Sequence, residues 1–142
     1  MKKPAHRVLA VEDHPAVGEL MRLALSRSLI QATIITSGEE ALAHLTTETY
    51  DLILLDISLP GMSGIEVCRK LKADSRLRRI PVIFVSGESG IEYKREARLL
   101  GAVDFIEKPF VLLDFLSRVL GHLNMGMKGE RQLHHSLAMP KP

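Results

Sequence analysis

The sequence predicts an α/β fold, a doubly wound sheet of five parallel strands alternating with five helices, (βα)5. Three observations predict it: five short apolar runs, amphipathic stretches between them, and a tetrapeptide that recurs at intervals of 26 residues. The runs are Val8–Val11, Ala32–Thr36, Leu52–Leu55, Val82–Val85 and Val103–Ile106. Each is too short for a helix, rich in branched side chains and mostly apolar on both faces, the pattern of strands buried between two layers. Strict alternation of strand and helix implies parallel strands, right-handed crossovers and helices on both faces.

After the first run, Pro15 suits a first helical position, and Val17, Leu20, Met21, Ala24 and Leu25 follow at helical spacing. The repeated tetrapeptide marks the next three helix starts: Ser37-Gly38-Glu39-Glu40, Ser63-Gly64-Ile65-Glu66 and Ser89-Gly90-Ile91-Glu92. Each is a capping box, in which the serine oxygen accepts from a first-turn N–H and the glutamate reaches back to the cap. Similarity ends at the tetrapeptide, so the spacing measures one strand plus one helix and not a solenoid repeat. The last helix carries Leu112, Leu113, Leu116, Val119, Leu120 and Leu123 as one stripe. No stripe continues beyond it; the expected division is a domain over 6–123 and a flexible tail over 124–142. The tail's His134 and His135 lack further ligands at metal-binding spacing.

With 46% hydrophobic and 25% charged residues among 142, the chain suits one globular domain. The single cysteine, Cys68, excludes an intramolecular disulfide or an all-cysteine metal site and reads as core filler in a reducing compartment. No apolar run approaches the roughly 18 to 20 residues that span a bilayer, and Met1-Lys2-Lys3 leads into Pro4, His6 and Arg7, not an apolar signal segment. A cytoplasmic protein with no membrane association is expected. The net charge of +2 resides in 121–142, where Lys128, Arg131 and Lys141 face only Glu130. The body is neutral. The cluster Arg69, Lys70, Lys72, Arg76, Arg78 and Arg79 lacks interleaved aromatics and reads as a solvated helix face and turn, so no direct nucleic-acid binding is expected.

The polar residues fall at the ends of the strands. The first ends in Glu12-Asp13, the third in Asp56, the fourth in Ser86 and the fifth in Lys108. Doubly wound sheets bind ligands at that carboxyl edge, where the strand order reverses. With the order 2-1-3-4-5, strands one and three are neighbours there, and Glu12, Asp13 and Asp56 converge. Three close carboxylates need a cation, and an all-oxygen set favours Mg²⁺, which commonly shares its site with phosphate. Lys108 and Ser86 offer an ammonium and a hydroxyl to phosphoryl oxygens. Asp56, on the central strand, is the expected nucleophile for a phosphoryl group. An acidic residue after one strand is ordinarily a turn or cap; four of five strands delivering complementary groups to one edge is a different matter.

These residues carry a resemblance. Val8-Leu9-Ala10-Val11-Glu12-Asp13, Asp56-Ile57-Ser58-Leu59-Pro60-Gly61-Met62-Ser63-Gly64, Ser86-Gly87 and Lys108-Pro109-Phe110 resemble the receiver domain of two-component response regulators, over about His6 to Leu123. The resemblance implies a flavodoxin-like fold of order 2-1-3-4-5. It implies an aspartyl phosphoprotein, phosphorylated on Asp56 by a histidine kinase or histidine phosphotransfer protein. Asp13 and Asp56 would bind Mg²⁺ directly and Glu12 through water, with the Ser58 backbone carbonyl completing the set. Ser86 and Lys108 would hold the phosphoryl group, with a cis Lys108-Pro109 bond. Phe105 would be the switch aromatic, and Ser58 and Glu88 would tune the phosphoryl lifetime. Gly87 stands where the family usually has alanine and is expected to loosen its loop.

A haloacid dehalogenase-like phosphohydrolase is the rival that also uses an aspartate after an apolar strand, but its second aspartate is replaced here by Ser58. A module without phosphorylation is disfavoured because the acidic residues, Ser86 and Lys108 are all present. The expected function is thus a phosphorelay switch and not an enzyme beyond its own Mg²⁺-dependent phosphorylation and dephosphorylation. It is expected to stand alone, as chemotaxis regulators do, with the receiver of a longer transcription regulator as the alternative. Its downstream protein target is expected at the face of helix four, strand five and helix five, around Lys94, Arg98, Asp104, Asp114 and Arg118. A weak homodimer through Asp114 and Arg118 is a further expectation there.

Overall fold

The computed structural model describes residues 6–124. Its elements are β1 (His6–Val11), α1 (Pro15–Ser26), β2 (Ile30–Ile35), α2 (Gly38–His44), β3 (Leu52–Leu55), α3 (Gly64–Ala73), β4 (Val82–Ser86), α4 (Ile91–Leu99), β5 (Asp104–Glu107) and α5 (Leu112–Asn124). The strands form one parallel sheet in the order β2-β1-β3-β4-β5. The expected tail lies outside the described residues from position 125, as do His134 and His135.

Side chains alternate across the sheet, and both sides are covered, which is why the strand runs are apolar throughout. Val8, Ala10, Leu52, Leu54, Ile83, Val85 and Ile106 pack with α1 and α5. Leu9, Val11, Ile53, Leu55, Val82, Phe84 and Phe105 pack on the other side with α2, α3 and α4. Phe115 of α5 is fully buried and stacks on Phe110 with ring centroids 4.9 Å apart. Its truncation to alanine would cost about 3–5 kcal/mol. Cys68 is core filler, as expected, and burial pushes its thiol up to about 11.

Several expectations change in detail. β2 begins at Ile30, earlier than the apolar run, because its register against β1 pairs His6 with Ile30. In α1 the buried positions are Gly18, Met21, Ala24 and Leu25, while Leu20 is exposed. A β-carbon at Gly18 would lie 2.9 Å from Ile34, so this glycine brings the helix close to β2 and sets which face turns inward. The α5 stripe is centred on Phe115, Val119 and Leu123; Leu112 and Leu113 are exposed. Leu113, two residues before Phe115, lies about 200° round the helix from it.

Ser37 and Ser63 cap α2 and α3, accepting from the Glu40 and Glu66 N–H groups. The third box does not form. Gly90 is the cap of α4, with no side-chain cap bond, because Ser89 is engaged with the Glu107 carboxylate of β5. The basic cluster is largely solvated, but three of its members find partners: the Lys72 ammonium donates to the Arg78 and Ile80 carbonyls, Arg76 donates to the Leu45 carbonyl, and Arg69 pairs with Glu96.

Candidate functional site

Backbone ladders carry the strand ends to one edge. Asp56 N–H donates to the Val11 carbonyl, Glu12 N–H to Ile35, and Lys108 N–H to Ser86. Glu12, Asp56 and Ser86 are buried, and ligand atoms of Glu12, Asp13, His14 and Asp56 all lie within 4.8 Å of one another. Gly64 lies against the Asp56 backbone: a β-carbon there would stand 1.9 Å from the Asp56 carbonyl oxygen, so only glycine lets the start of α3 approach so closely.

The Lys108 ammonium lies 2.9 Å from Asp56 Oδ2 and 2.7 Å from Glu12 Oε1. Burial acts most strongly on this group and would lower its pKa. Hydrogen bonds and charge from Glu12 and Asp56 outweigh burial, so the net shift is upward and the ammonium is held charged. Asp56 Oδ1 accepts the Ser58 N–H at 3.1 Å. The Lys108-Pro109 bond is cis. Ser86 Oγ accepts the Glu88 N–H at 3.1 Å, and Ser58 Oγ donates to Glu88 Oε2 at 3.1 Å. Phe105 is buried, its ring centroid 6.0 Å from that of Phe84. A β-carbon at Gly87 would meet nothing within 4 Å, so the family's alanine would fit there.

The donor set fits a hard divalent cation. Asp13 Oδ1 is buried with no donor in hydrogen-bond geometry, and the Lys108 ammonium sits against two of the three carboxylates, Glu12 and Asp56, leaving a local excess of negative charge among the described residues.

Two features escaped the sequence reading. His14 joins the acidic cluster, its Nδ1 3.0 Å from Glu12 Oε2; its position directly after Glu12-Asp13 was the available signal. Asp104, expected on the solvated partner face, is fully buried. Arg118 Nη1 donates to Asp104 Oδ1 at 2.9 Å and to the Phe105 carbonyl at 3.2 Å, and His122 Nε2 lies 3.1 Å from Asp104 Oδ2. Alternation explains the burial: Phe105 turns toward α4, so its neighbour turns under α5, where a buried carboxylate needs a cationic partner. Arg118 also pairs with Asp114, and Lys94 with Glu107. The charges expected to bridge two copies are therefore paired within one.

Known proteins resemble this chain in sequence and fold. Sensory transduction protein RegX3 of Mycobacterium tuberculosis is 35% identical over 119 residues, covering 84% of this chain and 51% of that protein. An uncharacterized transcriptional regulatory protein of Bacillus subtilis, YrkP, is 34% identical over 119 residues, covering 84% of this chain and 50% of that one. The chain thus spans about half the length of these curated relatives. The crystal structure of the receiver domain of a Syntrophus aciditrophicus signal transduction histidine kinase superposes with a TM-score of 0.80 at 34% identity, over 88% of this chain and 94% of that one. The family model for the response regulator receiver domain matches residues 8–120. With that match, the strand order and the pocket at the carboxyl edge in agreement, the chain belongs to the response regulator receiver domain family.

Proposed function

We propose that this receiver is a phosphorylation-controlled switch whose acceptor is Asp56, with a histidine kinase or histidine phosphotransfer protein as donor. Receiver domains are signalling domains that interact with histidine kinases and downstream effectors, not enzymes of the usual kind. The observation that carries the reading is the meeting of Asp13, Asp56 and Lys108 at one sheet edge, with the Ser86 hydroxyl on the adjoining strand.

In this reading an Asp56 carboxylate oxygen attacks phosphorus. The new O–P bond forms as the P–N bond to the donor imidazole breaks, and the imidazole departs with the electron pair. Asp13, Asp56 and the Ser58 carbonyl would hold Mg²⁺, with Glu12 acting through water. Bound Mg²⁺ supplies positive charge to the carboxylates and the transferring oxygens. Lys108 is within reach of the acceptor and pairs with the phosphoryl group; Ser86 turns its hydroxyl toward a phosphoryl oxygen. That movement acts on Phe105, whose backbone carbonyl is tied to Arg118 of α5, and so on the α4-β5-α5 face where the target docks.

Residues 6–123 form the working domain in this reading, in the cytoplasm. No described helix is long and apolar enough to cross a membrane. The half-length match to regulators of transcription and sensory transduction favours the receiver of a longer regulator as a second reading.

The test is intact-mass analysis after incubation with a small acyl phosphate. One phosphoryl group is expected on the wild type with Mg²⁺, and none on Asp56→Asn or without a divalent ion. Equal labelling of both proteins overturns the assignment.

A further inference from the structure

We propose that His14 adds an imidazole ligand to the acidic pocket, giving the site a preference for imidazole-binding first-row divalent ions such as Co²⁺ over Mg²⁺. The inference rests on the pocket being a cation site, as proposed above, and concerns which ion it selects.

His14 occupies the cap position of α1 yet makes no side-chain cap bond. Its ring turns instead to the carboxylates. The backbone N–H donates to Glu12 Oε2 at 3.1 Å, and Nδ1 lies 3.0 Å from the same oxygen. Nδ1 is also 3.5 Å from Asp13 Oδ1, an oxygen otherwise buried without a hydrogen-bond donor. Neighbouring donors in an octahedron with bonds of about 2.1 Å stand about 3.0 Å apart. The 3.5 Å between the imidazole nitrogen and Asp13 Oδ1 is close to such an edge, so one ion can take both. With Asp56 the set becomes three carboxylates and one nitrogen, all within 4.8 Å. The ring is 65% exposed, so it can complete its approach without repacking the core.

The chemistry of that set differs from a carboxylate pocket. Mg²⁺ takes oxygen ligands and gains little from a nitrogen, whereas imidazole suits the later first-row ions. His14 should thus raise affinity for Co²⁺ and leave affinity for Mg²⁺ almost untouched.

Calorimetric titration of the full chain with MgCl2 and with CoCl2 tests this, in a background carrying His134→Gln and His135→Gln so that these two imidazoles contribute no signal. His14→Gln should lower Co²⁺ affinity at least about tenfold, the order seen when a metal site loses a supporting group, with Mg²⁺ affinity within about twofold. Pulsed electron paramagnetic resonance of bound Mn²⁺ should show nitrogen coupling in the parent protein that is lost in His14→Gln. Unchanged Co²⁺ affinity, equal loss of both ions, or absence of His14-dependent nitrogen coupling overturns the inference. Asp13→Asn separates the two levels: it should abolish binding of both ions at this site. Loss of both in Asp13→Asn with no effect of His14→Gln refutes the role of His14 and leaves the pocket standing. Mg²⁺ affinity unchanged in Asp13→Asn refutes the pocket itself.

Discussion

The Ser58 hydroxyl donates to the Glu88 carboxylate at 3.1 Å, tying the loop after β3 to the loop after β4 beside the acceptor. Each residue stands two positions beyond a group assigned to the phosphoryl site, Asp56 and Ser86 respectively. Glu88 is further fixed by its own N–H, which donates to Ser86 Oγ. In the proposed function this pair would narrow the approach of water to Asp56. Ser58→Ala and Glu88→Ala are each expected to speed loss of the phosphoryl group by about 2- to 10-fold, the kinetic equivalent of one ordinary hydrogen bond. Because they share one bond, the double variant should resemble either single variant. Decay followed by intact mass checks this, and additive effects would show that the two act separately.

In the proposed function Ser86 and Lys108 read the phosphoryl group, while Asp13 and Asp56 would hold the metal. Ser86→Ala and Lys108→Ala should therefore still accept phosphate, yet fail to alter amide exchange on α4, β5 and α5. Wild type should show its changes there. Changes confined to α1 and α2 would defeat the placement of the output face.

Gly64 and Gly87 should respond oppositely to alanine. At Gly64 the new β-carbon collides with the Asp56 carbonyl, backbone against backbone, and the loss should reach about 3 kcal/mol, the upper end of overpacking costs. At Gly87 the space is open, so Gly87→Ala should be neutral or stabilising by up to about 1 kcal/mol through the unfolded state. Urea denaturation of both variants provides the comparison.

Cys68 supplies a pH dependence with a definite sign. Burial raises its thiol from 9.0 to about 11; the neutral form is favoured in the folded state. Between those values the unfolded chain loses the proton that the folded chain keeps, so this group's contribution to stability falls as pH rises from about 9 to about 11. Cys68→Ala should lack this part of the alkaline decline. Below pH 9 the native thiol should react with an aromatic disulfide reagent only as fast as the fold opens, and rapid stoichiometric labelling would contradict its burial.

The layered fold and most of the pocket are written in the pattern of apolar runs and the residues that end them. Two-sided apolar runs such as Leu52–Leu55 can only be satisfied between two layers of helices, and a parallel sheet brings every strand's carboxyl end to one edge. Glu12, Asp13, Asp56, Ser86 and Lys108 were therefore legible from position alone, as was the cis bond from the family resemblance.

Contacts between elements were decided only in three dimensions. Gly18, Met21 and Leu25 face the sheet because Gly18 fits under Ile34, something a spacing rule that counted Leu20 as buried could not register. Ser89 had the sequence of a helix cap, yet Gly90 caps α4 and the Ser89 hydroxyl bonds to Glu107 instead. Asp104 looked like a surface charge until α5 laid Arg118 and His122 over it, and the direction of the His14 ring depended on where Glu12 came to rest. Periodicity reports which side of its own element a residue occupies. A polar side chain's role depends on the free energy of the partner it finds across the fold, and that partner is set by packing between elements distant in the chain.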